Sequence, residues 1–321
     1  MDGSLIGIFG SKPETKSAFL SSIGKKSETE GIVVYQHSKG ARKFSLLDDA
    51  TFPDKIQGYA RIATISDYAL YVFPSDGKLL PPEGELAVLL DSVSALGTVE
   101  VIDGTQPNIA ASVKTLFKGL SLSNFPVEER TAKSSVIDFS HIKPRSDYPK
   151  DHALVYIDRA FNVKGVGLVV LGFVLSGNIS VHDKMRLLPT ESGKLAEVKG
   201  IQVSDEDQQT VGRGIRVGLS MKGVELKDLA KVSWLDDGSF QTSSSLEFSF
   251  RKSNYYKQPT VDRDLHIQAN GEILVAQISQ GNTEDKRIAK ISAAIPVWTG
   301  MPVSVLDLNS KPLRVAGGGL L

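Results

Sequence analysis

Residues 157–189, IDRAFNVKGVGLVVLGFVLSGNISVHDKMRLLP, are the stretch on which the reading of the whole chain turns. Three β-rich runs, residues 153–159, 167–175 and 184–188, are set apart by Lys164-Gly165-Val166-Gly167 and by Ser176-Gly177-Asn178. Runs rich in β-branched residues with glycine punctuation are the signal of hairpins in a small antiparallel barrel. Gly165 and Gly167 read as a tight turn, not as a dinucleotide fingerprint, because no helix in a βαβ context follows them.

The order of residues adds to this. Asp158-Arg159-Ala160-Phe161 leads into Gly165-Val166-Gly167-Leu168-Val169-Val170-Leu171-Gly172, then Gly177-Asn178-Ile179-Ser180-Val181-His182-Asp183. Gly200-Ile201-Gln202-Val203, Val217-Gly218-Leu219 and Gly223-Val224 follow. This ordered set resembles the second domain of translational GTPases, nearest to the branch of elongation factor Tu and the selenocysteine-specific elongation factor, over most of residues 150–236. The resemblance implies a P-loop GTPase-like α/β domain with a parallel sheet, followed by two antiparallel β-barrels. It also implies a shallow barrel pocket for the 3′ aminoacyl-adenosine of tRNA. By position, Val163 and Val169 are its apolar walls, and Gln202 stands where the family often has an acidic residue. Strand alternation by itself makes the two valines ordinary barrel residues.

At 321 residues and 41% hydrophobic, the chain has material for two or three cores. Its 37 basic and 37 acidic residues cancel, so bulk attraction to DNA, RNA or an anionic membrane is not expected, and any RNA contact must be a local patch. With no cysteine, disulfides, thiolate metal sites and a cysteine nucleophile are excluded. The opening MDGSLIGIFG lacks the basic start and the length of a signal peptide or membrane span, and a cytoplasmic protein is expected.

Upstream of the barrel the pattern alternates. A strand at 4–9 precedes Gly10-Ser11-Lys12-Pro13-Glu14-Thr15-Lys16-Ser17 and a helix with Phe19, Leu20 and Ile23 on one face. Strands at 31–35, 43–47, 68–73, 99–102 and 135–139, with helices at 53–65, around 86–93 and at 109–120, complete a βα series and a parallel sheet. The first loop nearly fits the phosphate-binding consensus G-x-x-x-x-G-K-[ST]: Gly10, Lys16 and Ser17 are in place, but Thr15 occupies the second glycine position. That position needs a positive φ against the phosphates, which is costly for a β-branched residue. In a working loop Lys16 would meet the β/γ phosphates and Ser17 a magnesium ion; otherwise both are first-turn helix residues.

Three further GTPase signatures are eroded. Asp48-Asp49-Ala50-Thr51-Phe52 lacks the glycine of D-x-x-G, Pro53, Asp54 and Lys55 stand where the water-orienting histidine belongs, and Asp103-Gly104-Thr105-Gln106 replaces N-K-x-D. Hydrolysis and guanine reading are therefore not expected, and GTP and magnesium are not favoured as cofactors. The expected function is that of a pseudo-GTPase with an elongation factor's architecture, binding an aminoacyl-tRNA end, the ribosome or a translation-factor partner through its barrels. Two alternatives stand beside it: a GTP-binding translation GTPase with an atypical loop, and a protein-interaction scaffold mimicking an elongation factor.

The expected division is an α/β domain at 1–143, a linker at 144–153, the first barrel at 154–236, a linker at 237–245 and the second barrel at 246–321. His141, Asp151 and His152 read as linker residues whose spacing suits no common metal site, and residues 204–209, SDEDQQ, as an acidic loop tip. Arg251, Lys252 and Lys257, interleaved with Phe250, Tyr255 and Tyr256, are the best candidates for an RNA-facing patch.

Overall fold

The computed structural model describes residues 2–28, 32–40, 42–105, 108–131, 137–145, 147–190 and 193–321. The first sheet contains β1 (Gly3–Phe9), β2 (Lys25–Glu28), β3 (Val33–Lys39), β4 (Arg42–Asp48), β5 (Tyr68–Phe73), β6 (Gly97–Ile102) and β7 (Val127–Arg130), in the order β2-β3-β4-β1-β5-β6-β7. The five strands from β4 to β7 run parallel, while β2 and β3 add an antiparallel edge. The central strand β1 is buried along its whole length, as a strand covered on both faces must be. One face is covered by α1 (Pro13–Ile23), the other by α2 (Gln57–Ile65), α3 (Pro81–Ser92) and α4 (Ile109–Leu116).

Two elements differ from expectation. The last strand of this sheet is β7, not 135–139: residues 132–136 lie outside those described, and Phe139–His141 forms a 3-10 turn. The Val-Glu-Glu-Arg composition of β7 hides it, since a sheet edge can be charged. The second helix starts at Gln57, four residues later than 53, because the chain from Thr51 to Asp54 turns first.

Six strands close the first barrel: β8 (Leu154–Val163), β9 (Gly167–Ser176), β11 (Lys184–Leu188), β12 (Leu195–Val203), β15 (Arg216–Lys222) and β16 (Trp234–Asp236). Short β10 (Asn178–Ser180), β13 (Glu206–Gln208) and β14 (Thr210–Gly212) lie at its rim, and β11 pairs with both β16 and β12 to complete the ring. Its interior is Val155, Val170, Met185, Val198, Leu219, Leu235 and their neighbours. At the β8–β9 turn the backbone is left-handed at Gly165 (φ +83) and Gly167 (φ +101), the conformation for which glycine is suited.

The remaining strands are β17 (Gln241–Ser249), β18 (Arg251–Lys252), β19 (Arg263–Ala269), β20 (Glu272–Gln280), β21 (Lys286–Val297), β22 (Pro302–Leu306) and β23 (Val315–Leu320). They form one antiparallel sheet, curled round so that the consecutive β17 and β18 pair with its two opposite ends, β21 and β23. β17 begins at Gln241, inside the segment read as a linker; its serine-rich start has no apolar alternation but still pairs with residues 295–297.

This last sheet is fastened to the first domain. Arg314 binds Glu85 of α3 at 2.7 Å through its N–H and at 3.0 Å through Nε, and its two terminal nitrogens donate to the carbonyls of Asp54 and Pro53, each at 2.9 Å. Thr64 Oγ1, at the end of α2, accepts from Gln268 Nε2 (2.7 Å) and Gly271 N (3.1 Å). One continuous apolar cluster accordingly runs from Leu5 and Tyr59 through Leu86 and Leu90 to Val303, Val315 and Ala316.

Candidate functional site

The phosphate loop has a specific local geometry. Helix α1 begins at Pro13, which has no N–H, and Lys16 N donates to Lys12 O at 3.1 Å. Thr15 is therefore within the helix rather than in the left-handed conformation that the second glycine of the consensus adopts. A phosphate cradle needs several free amides aimed at one point. Here the proline and the internal bond at Lys16 remove two of them.

Lys16 is 3% exposed and turned inward. Its ammonium pairs with Asp48 Oδ1 at 2.7 Å, donates to Asp49 O at 3.3 Å and bonds the Tyr59 hydroxyl. Tyr59 in turn donates to Asp48 Oδ1 (2.9 Å) and Gly10 O (3.1 Å), so the loop glycine, the loop lysine, β4 and α2 are tied into one buried knot. Burial pushes the Asp48 carboxyl above the usual carboxylate range, while the Lys16 charge and the hydrogen bonds from Lys16 and Tyr59 pull it back. Burial and the Asp48 charge hold the Tyr59 hydroxyl far above its ordinary value, so it is a neutral donor. Gly10 is packed closely: a β-carbon there would meet Val72 O at 2.9 Å and Lys16 Cδ at 3.2 Å. Ser17 is exposed on α1, beside the Tyr35 hydroxyl. A second carboxylate, the fully buried Glu83, accepts from Ser11 of the loop and from Leu80 N at 3.2 Å. Two buried carboxylates, Asp48 and Glu83, thus flank the loop.

The outer face of the first barrel is built differently. Register pairs Phe161 with Val169, Val169 with Ser220, and Ser220 with Gly200; the next row pairs Arg159 with Leu171, Leu171 with Gly218, and Gly218 with Gln202. Val163 lies opposite Gly167 at the end of the β8–β9 hairpin. Leu168 and Val170 are buried, so alternation turns Val169 and Leu171 outward with Phe161 and Val163, which are 36% and 37% exposed. Val163, Val169 and Gln202 are therefore on one face, about 10 Å across from β9 to β12, two inter-strand spacings. Glycines 200 and 218 keep its floor low. Gln202 Nε2 donates to Asp207 Oδ1 at 2.9 Å, which brings a carboxylate to the edge of this face. Phe161, Leu171 and Asp207 are not among the residues expected on this face from sequence; the first two follow from cross-strand register, the third from the tight β12–β13 hairpin.

The basic trio is separated by the structure. Arg251 Nη1 pairs with Asp91 of α3 at 2.7 Å and Nη2 donates to its carbonyl at 3.0 Å, a pin between β18 and the first domain. Lys252 sits 5.7 Å from the Tyr256 ring centre and Lys257 donates to Asn254 O at 2.7 Å. Both lysines and Tyr255 are exposed, whereas Phe250 and Tyr256 are buried. No cluster of three or more histidine, aspartate or glutamate side chains suited to a metal occurs among the described residues, and no described helix is long and apolar enough to cross a membrane.

Comparison with known proteins agrees with this architecture. Residues 167–233 match the family described as elongation factor Tu domain 2. An uncharacterized protein of Methanocaldococcus jannaschii is 25% identical over the full length of both chains. The selenocysteine-specific elongation factor of the same organism is 41% identical over 73 residues, 23% of this chain and 15% of that protein. Among solved structures, translation elongation factor SelB from Methanococcus maripaludis, in complex with the GTP analogue GPPNHP, superposes with a TM-score of 0.80 at 21% identity, over all of this chain and 79% of that one. A bacterial selenocysteine-specific elongation factor gives 0.85 at 14% identity, over all of this chain and 58% of that one. The parallel-sheet domain with its two antiparallel β units is thus the fold of SelB, and the chain is similar to the translational GTPases, above all in the elongation factor Tu-type domain 2 that its first barrel forms.

Proposed function

We propose that this chain is an elongation-factor-like binding protein and a pseudo-GTPase, engaging an aminoacylated RNA end, the ribosome or a translation partner through its barrels from the cytoplasm. The observation that carries the reading is the loop lysine. Lys16, the consensus lysine of the loop, is buried at 3% exposure in an ion pair with Asp48 and capped by Tyr59. Releasing it would leave a buried carboxylate without its cation, a cost of about 3–5 kcal/mol that phosphate binding would have to offset. The face bearing Phe161, Val163, Val169, Leu171 and Gln202, by contrast, needs no such rearrangement to receive a ligand. Its apolar walls, flat glycine floor and adjoining Gln202–Asp207 pair suit an unpaired nucleoside with a small apolar attachment. The reading also divides the chain as proposed from sequence, with the second barrel taking up residues from Gln241 onward.

Two titrations on the full chain test it. Labelled GTP and ATP, with and without magnesium, are expected to give no saturable binding in the micromolar range, and aminoacyl-tRNA is expected to bind more tightly than deacylated tRNA. Saturable magnesium-dependent GTP binding abolished by Lys16→Ala would return the protein to the working GTPases. The absence of any RNA or ribosome association at physiological salt would remove the RNA part of the proposal.

A further inference from the structure

Between α3, α4 and the loops of the last sheet lies a second open depression, remote in sequence from the barrel face. Val88, Leu116, Phe117, Leu120, Tyr255 and Leu313 line it, and its volume is about 260 Å³. Leu116 is 39% and Tyr255 55% exposed, so the apolar floor reaches solvent. Several of the lining residues have exposed lysines beside them in the chain. Lys78 precedes the lining Leu79, Lys118 follows Phe117, Lys252 and Lys257 bracket Tyr255, and Lys311 precedes Pro312. All five are exposed, and none has an ion-pair partner among the described residues. The acidic residue in the lining, Glu85, is already neutralised by Arg314. In a chain whose 37 basic and 37 acidic residues cancel, this concentration is local.

We propose that this groove is a docking site for an acidic, amphipathic helical segment of a protein partner. A helix laying an apolar face into a groove supplies side chains at i, i+3, i+4 and i+7, and its flanking Asp and Glu residues then meet the lysines. Long-range attraction would raise the rate of encounter and make it sensitive to salt. The aliphatic floor argues for protein over RNA: bases stack on Tyr255 readily, but leucine and valine leave their polar edges without hydrogen-bond partners. The walls come from the first domain and the last sheet together, so the site exists only while the two stay in contact, a contact to which Arg314 and Arg251 contribute. This docking site is independent of the RNA-end reading, and neither stands or falls with the other.

The probe is a labelled synthetic helix of about four turns with Leu and Phe on one face and Glu and Asp on the other, titrated into the full chain by fluorescence anisotropy. Its controls are the same helix with Lys in place of every acidic residue, and a single-stranded RNA of similar length. The acidic helix is expected to bind, to weaken as salt rises, and to lose about tenfold or more in affinity with Leu116→Asp or with Lys118→Glu combined with Lys311→Glu. Both variants change exposed side chains, and an unchanged urea midpoint establishes that they fold. Failure of the acidic helix to bind, binding of its lysine counterpart equally well, or an affinity untouched by Leu116→Asp would overturn the proposal. Tighter binding of the RNA, lost with the same variants, would instead assign the groove to nucleic acid and equally overturn it.

Discussion

The phosphate loop and the outer face of the first barrel are each marked by a motif in the sequence, yet they are built in opposite ways. Around the loop the buried polar groups are turned on one another: Lys16 on Asp48, Tyr59 on Asp48 and Gly10, Ser11 on Glu83. On the barrel face Phe161 and Val163 are left uncovered, at 36% and 37% exposure. A motif residue can therefore persist for opposite reasons. Gly10 and Lys16 now hold a buried knot together, while Gly200 and Gly218 keep a surface low enough to receive something. The same residue types that suggest a site in sequence mark a structural core in one case and an open platform in the other.

The sharpest way to break this comparison is to remove the loop lysine. If Lys16 is structural, Lys16→Ala strands the buried Asp48 carboxylate and should lower unfolding stability by about 3–5 kcal/mol, measured by urea denaturation. A lysine kept for phosphate would show the reverse: little change in stability and a loss of nucleotide affinity. Next comes the barrel face, where Phe161→Ala should weaken binding of an aminoacyl-RNA end by about 1–3 kcal/mol, the usual worth of a stacked base, in an equilibrium filter assay. The same change should leave the urea midpoint almost untouched, since Phe161 lies outside the barrel core. A large fall in stability without a change in RNA affinity would make the phenylalanine structural as well.

The smallest effect is one of pH. The Asp48 carboxyl titrates higher in the folded chain than in the unfolded one, mainly through burial. Its contribution to stability is therefore fully present below the unfolded pKa and is lost as pH rises through the folded value. Relative to Asp48→Asn, the native chain should lose stability as pH rises from the unfolded to the folded value, by about 1.4 kcal/mol for each unit of difference between the two states. Parallel slopes in urea midpoints against pH would show that the pair with Lys16 compensates the burial completely.

The fold was legible because its signals are local. Apolar runs at 68–73 and 99–102 are strands wherever they fall in a sheet, and the ordered glycines of 165–223 need no tertiary knowledge to be read. Strands without an apolar run were lost: Val127–Arg130 at the sheet edge, Lys25–Glu28, and the serine-rich start of β17 at Gln241. The sites were less legible because each depends on partners far away in the chain. Tyr59 reads as one more apolar residue of α2, and only the fold brings its hydroxyl 2.9 Å from Asp48. Arg251 reads as a free cation until Asp91, 160 residues earlier, is placed beside it. Asp207 reads as a solvated loop residue until the β12–β13 hairpin sets it against Gln202.

The shared apolar cluster that joins α2 and α3 to the last sheet bears on how the protein is made. The first domain's helical layer packs on Val303, Val305, Val315 and Ala316, residues that a ribosome adds only after the first barrel. During synthesis that layer stays uncovered until the last sheet has been made, while the first barrel, with a core drawn only from residues 153–235, can close as soon as it emerges. The first barrel is thus free to fold before the parallel-sheet domain that precedes it does, and a nascent chain halted after the first barrel would carry a finished module behind a domain that still exposes its apolar side.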